Sequence, residues 1–117
     1  FEDAMAMFQQ CKDEAKYRTR ATHMLGKCFA QEGWHQEAVG EFREAIEKLD
    51  GTEKDRELTI RYDLMLSLID LARHEKSAED AREAAEICSA IVRKDISYRD
   101  IRKKRKEVDT LIKELEG

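Results

Sequence analysis

Residues 25–45 read LGKCFAQEGWHQEAVGEFREA, and whether this run is a reactive loop or the packing pattern of paired helices decides the fold. Leu25, Gly26 and Phe29 fall on one face of a helix, and Gly33 stands where a left-handed residue would close it. Ala38, Phe42 and Ala45 recur at i, i+4 and i+7, which is one stripe of a second helix. The link between them is so short that the two helices must run antiparallel. The same small, aromatic, small stripe occurs 34 positions earlier at Ala4, Phe8 and Cys11. Self-similarity at a fixed period marks a repeat architecture.

Composition agrees. At 117 residues the chain suits one domain able to bury a core. It is 41% hydrophobic and 41% charged, with no proline and five glycines, a balance that favours amphipathic helices over strands. The expected class is all-α. Cys11, Cys28 and Cys88 are odd in number, form no C-x-x-C pair and sit among apolar residues, so they are expected to be buried thiols in a reducing compartment. No signal peptide or bilayer-spanning stretch is recognisable, which makes the cytoplasm the expected location. Because it opens on Phe1 rather than methionine, the chain is expected to be a piece of a longer protein.

Beyond residue 50 the pattern lengthens. Leu64, Met65 and Leu68 take the places of Leu25, Gly26 and Phe29, and Ala84, Cys88 and Ile91 take those of Ala38, Phe42 and Ala45. The pair is expected over about 52–73 and 77–94. TEKD at 52, SAED at 77 and SYRD at 97 each offer a hydroxyl to cap a first turn and an acid three residues on. Ile101, Val108, Leu111, Ile112 and Leu115 lie along one face of the last segment, which reads as a capping helix over 97–116 that covers the final apolar face.

Leu25, Gly26, Phe29, Gly33, Ala38, Phe42 and Ala45 together resemble the signature of the tetratricopeptide repeat, with Thr22 where the early tryptophan would stand and Asp50 in place of the terminal proline. Residues 95–111, DISYRDIRKKRKEVDTL, are similar to the closing helix of many bacterial tetratricopeptide proteins. The resemblance implies antiparallel hairpins stacked as a short right-handed solenoid: 1–12 as the second helix of a truncated repeat, 15–50 as repeat two, 52–94 as an extended repeat three, then the cap. It also implies a scaffold function, with a protein or peptide partner held in a concave groove lined by the first helices. The implied groove residues are Arg20, His23, Lys27 and Gln31 from repeat two and Tyr62, Leu66, Ile69 and Asp70 from repeat three. His23 and Lys27 stand where the family's carboxylate-clamping members carry Lys and Asn, so that specificity is not transferred.

Other chemistry finds less support. Gly26-Lys27 lacks the upstream glycine and following Ser or Thr of a phosphate loop. His23, His35 and His74 have no partner at metal-ligand spacing, so neither a metal nor another cofactor is expected. No nucleophile, base and orienting acid can be assembled, and the abundant acid pairs such as Glu44/Glu47 each have a basic neighbour at helical spacing, so an enzyme is not expected. Trp34, just after Gly33, is expected to wedge between neighbouring hairpins, the alternative being an anchor for a partner.

Arg102, Lys103, Lys104, Arg105 and Lys106 form the sharpest charge feature. Residues 99–106 carry a net +5 against −4 for the whole chain, so the remainder stands at −9. An anionic surface is one conceivable partner; nucleic acid is disfavoured because no aromatics interleave with the bases. A third expectation is self-association through the N-terminal face around Met5 and Phe8.

Overall fold

The computed structural model describes residues 4–6, 18–49 and 53–117, and all its regular structure there is helical. Residues 4–6 are helical. Five helices follow: α1 (Arg18–Gln31), α2 (His35–Glu47), α3 (Lys54–Glu75), α4 (Ala78–Lys94) and α5 (Ile101–Glu116). The chain divides into two compact units, Phe1–Leu64 and Met65–Gly117, so the division falls inside α3. The rest of the expected helix over 1–12, with Phe8 and Cys11, lies outside the described residues, as does the cap at Thr52.

In the first unit α1 and α2 pack as an antiparallel hairpin. Leu25, Ala38, Phe42 and Ala45 are all at or below 1% exposure, so the stripes read from the sequence do face the core. Burying a side chain such as Leu25 or Phe42 stabilises by roughly 1.5–3 kcal/mol. Phe29 is only half-buried. The contact that sets helix spacing is Gly26 on Phe42: a Cβ at Gly26 would lie 2.6 and 2.7 Å from two carbons of the Phe42 ring. At Thr22, where the repeat signature has tryptophan, the side chain is fully buried and its hydroxyl donates to the Arg18 carbonyl at 2.8 Å. An i−4 bond of this kind satisfies the hydroxyl without a tertiary partner.

The turn after α1 has a specific geometry. Gly33 adopts φ +82°, its N–H donates to the Ala30 carbonyl at 3.0 Å, and the Trp34 N–H donates to the Phe29 carbonyl at 2.9 Å. These are the two bonds of a Schellman motif, with the left-handed residue supplied by glycine. The motif usually carries an apolar contact between its outer residue and the residue five before. Here Trp34 stacks on Phe29, with ring centroids 5.8 Å apart and planes 26° from parallel.

α3 carries acids in its first turn and bases in its last, the arrangement the helix dipole favours. It buries two stripes, Ile60, Leu64, Ser67 and Leu68 on one and Tyr62, Met65, Ile69 and Ala72 on the other. It ends as α1 does, with the Ser77 N–H donating to the Ala72 carbonyl at 3.0 Å, but the left-handed position is Lys76 at φ +54°. Ser77 then caps α4 as expected, its hydroxyl accepting from the Asp80 N–H at 3.2 Å.

In the second unit α4 packs on α5. Ala84, Cys88 and Ile91 of α4 are fully buried, as are Ile101 and Val108 of α5. The cap expected at Ser97 does not form. Asp95 captures both the Ser97 N–H at 3.0 Å and its hydroxyl at 2.9 Å, and α5 begins only after Asp100, whose side chain makes no capping bond. An acid two residues upstream competed for the hydroxyl and won.

Candidate functional site

The expected site begins on α1. Arg20, Met24, Lys27 and Gln31 recur at i, i+4, i+7 and i+11, a spacing that confines them to one stripe. Arg20, Lys27 and Gln31 are exposed and Met24 is half-buried, giving a basic and polar strip with an apolar patch inside it.

His23, expected beside them, is a core residue. Its side chain is 7% exposed, its Nε2 meets Asp63 Oδ2 of α3 at 2.7 Å, and its ring stands edge-on to Phe42 with centroids 5.8 Å apart. Burying an imidazole without a partner would be costly, and Asp63, 40 residues away, supplies the partner. Tyr62 and Ile69 are likewise withdrawn from the surface, because they lie on one of the two stripes α3 buries. Leu66 is half-buried and Asp70 exposed. Of the groove residues read from the sequence, therefore, Arg20, Lys27 and Gln31 are exposed, Asp70 is exposed and pairs with Arg73 at 4.0 Å, and Leu66 is half-buried.

Trp34 is not wedged. It is 52% exposed and spends its other face on Phe29 of its own hairpin. The signal that could have revealed this is its place directly after Gly33 and five residues after an aromatic, the spacing at which a Schellman turn brings two side chains together.

The basic run is divided by the helix. Arg102, Lys103 and Lys106 are exposed, whereas Lys104 and Arg105 are half-buried and engaged. Lys104 donates to Glu107 at 3.1 Å, and Arg105 donates to Asp109 at 3.2 Å and to the Ser89 hydroxyl of α4. Glu107 also accepts from Arg73 of α3 at 2.5 Å. The Arg73 bond, followed by that from Lys104, holds the Glu107 carboxyl below the usual glutamate range. The tie thus persists at neutral pH and is released as pH falls through that lowered value.

The cysteines differ from one another. Cys88 is fully buried with its sulfur 2.9 Å from Met65 Sδ, and burial pushes its thiol up to about 11, Arg105 offsetting only part of the effect. Cys28, expected to be buried too, is half-exposed. Among the described residues no three His, Cys, Asp or Glu side chains gather into a metal-binding group, and no helix is long and apolar enough to cross a membrane. Of the expected self-association face, Met5 is half-buried.

No protein-family model, curated protein or solved structure matches the chain.

Proposed function

We propose that the chain is a tetratricopeptide-like scaffold module that binds a peptide or partner helix on the exposed stripe of its first helices. The observation that carries this reading is the seating of the Phe42 ring against Gly26, where any side chain would collide with it. In the repeat signature these are the small residue of the first helix and the aromatic of the second, and their contact presses one side of α1 onto α2. The opposite side of α1, with Arg20, Met24, Lys27 and Gln31, is left for a partner. On α3 the resemblance assigns Leu66 and Asp70 to a stripe of the same kind. In this reading the hairpins belong to a short solenoid closed by α5.

The chemistry of the α1 stripe favours a segment with an acidic end and an apolar anchor. Exposed ion pairs contribute about 0–1 kcal/mol each, whereas truncating a buried anchor typically costs ~2 kcal/mol or more, so Met24 sets affinity and the bases set orientation. Selection of peptides from a random display library on the immobilised chain tests the proposal. Enriched peptides should carry Asp or Glu beside a large apolar residue, and Arg20→Glu with Lys27→Glu should weaken them by ~10-fold or more, which corresponds to about 1.4 kcal/mol. Peptides that bind the doubly reversed chain as well as the wild type would remove this surface from consideration.

A further inference from the structure

Two large hydrophobic side chains are exposed among the described residues, Trp34 at 52% directly before α2 and Ile96 at 59% in the turns that lead into α5, and the two helices carry strongly charged faces of opposite sign. Behind Trp34, α2 presents a shallow trough formed by Phe29, Gly40, Glu37, Glu41, Glu44 and Glu47. Arg43 is the one base on its rim, and Glu44 is bridged to Lys48 at 3.1 Å. A side chain at Gly40 would meet nothing within 4 Å, so the floor of the trough is open. Behind Ile96, α5 presents Arg102, Lys103, Lys106 and Lys113, all exposed and within about a third of a turn of one another by helical spacing. Of the acids beside that face, Asp109 is drawn toward Arg105 and Glu116 toward Arg82 of α4 at 3.1 Å, while Glu114 lies at its edge.

We propose that these are the two halves of one heterologous contact, in which the Trp34–Glu47 face of one copy of the chain receives the Ile96–Lys113 face of a second copy. The occupant is argued from complementarity. Outside residues 99–106 the chain carries a net −9, and although α1 adds a second, smaller basic strip, the acidic α2 face is a surface of the chain itself that matches its basic α5 face. Both faces carry an apolar residue at the same end, which gives the pairing a direction that charge alone lacks. A contact between two different faces of one protein is non-self-complementary, and it is therefore separable by mutation into two halves. Exposed ion pairs are individually weak, so the association is weak and salt-sensitive. The proposal does not involve Arg20 or Lys27 and stands or falls independently of peptide binding on α1.

Sedimentation of the full 117-residue chain over ~10 µM to ~1 mM tests it. The wild type should exceed its 13.7 kDa monomer mass at low salt. Raising salt from about 0.01 M to about 1 M, which shortens the screening length from about 30 Å to about 3 Å, should weaken association ~10-fold or more. The variants E44K/E47K and R102E/K106E should each be monomeric. Both place new charges where the helix dipole favours them, bases late in α2 and acids early in α5, so the fold should be retained and circular dichroism will show it. Mixed in equal amounts, the two variants should recover association, because the intact basic face of the first meets the intact acidic face of the second. Trp34, the only tryptophan, should shift its emission to the blue in that mixture. A wild type that stays monomeric throughout the series overturns the proposal, whatever foreign ion or peptide either face captures. So does a variant that still associates like the wild type, or a mixture that recovers nothing.

Discussion

Gly26 and Gly40 are both helical glycines, and the same substitution should move them in opposite directions. Replacing glycine by alanine inside a helix gains about 0.8–1 kcal/mol of propensity. At Gly40 nothing opposes that gain, since the new methyl meets open space. At Gly26 the methyl would lie 2.6 Å from a ring that is 1% exposed and cannot back away. Overpacking of this kind costs about 1–3 kcal/mol, which exceeds the propensity gain. Urea denaturation should therefore show Gly40→Ala more stable by ~0.5–1 kcal/mol and Gly26→Ala less stable by up to ~2 kcal/mol. Equal shifts of one sign would mean that Phe42 does not seat on Gly26. Trp34 makes a second lesson at this scale. An exposed tryptophan invites a binding role by residue type alone, yet the Trp34 ring is only 52% exposed and stacks on Phe29 within its own turn. Only the remainder is available for anything else.

Elements are defined here largely by how they end. α1 and α3 finish with the same 6→1 backbone bond, one with Gly33 in the left-handed position and one with Lys76. Glycine adopts that conformation freely, whereas an L side chain pays roughly 1–2 kcal/mol for it. Lys76→Gly should accordingly stabilise the chain by about 1 kcal/mol after the glycine's larger unfolded entropy is subtracted. Lys76→Ala, which keeps the strain, should change little; thermal unfolding of the two variants separates the cases. The start of α5 shows the limit of reading caps from sequence. Ser77 and Ser97 head similar tetrapeptides, but only Ser97 has an aspartate two residues before it, and its hydroxyl turns back to Asp95.

At the scale of the molecule, the two units can be followed through their thiols. Cys28 belongs to the first unit and is half-exposed; Cys88 belongs to the second, is fully buried, and keeps its proton at neutral pH because burial pushes its thiol to about 11. Only the thiolate reacts, so in a Cys11→Ser background a thiol reagent should modify Cys28 from the native state and Cys88 only through opening of residues 65–117. The slow phase should accelerate with urea and the fast phase should not. Two equally fast phases would contradict the burial of Cys88.

The helical class and the buried stripes were legible because periodicity is a local property: Leu25, Ala38, Phe42, Ala45, Ala84, Cys88 and Ile91 can each be placed by counting. The exposure of Arg20, Lys27 and Gln31 was legible for the same reason. His23, Tyr62 and Ile69 were not, because whether a helix buries one stripe or two depends on what packs against it. The His23–Asp63 bond joins positions too far apart in the chain for any spacing rule.

That bond has a consequence for alignment. Apolar stripes are forgiving, and a slip by one helical turn, about 5.4 Å, still lays aliphatic carbon on aliphatic carbon. The imidazole is less tolerant. Such a slip would strand it in a dry interior without its carboxylate, so a single directional pair selects one register from several that greasy contact alone would accept.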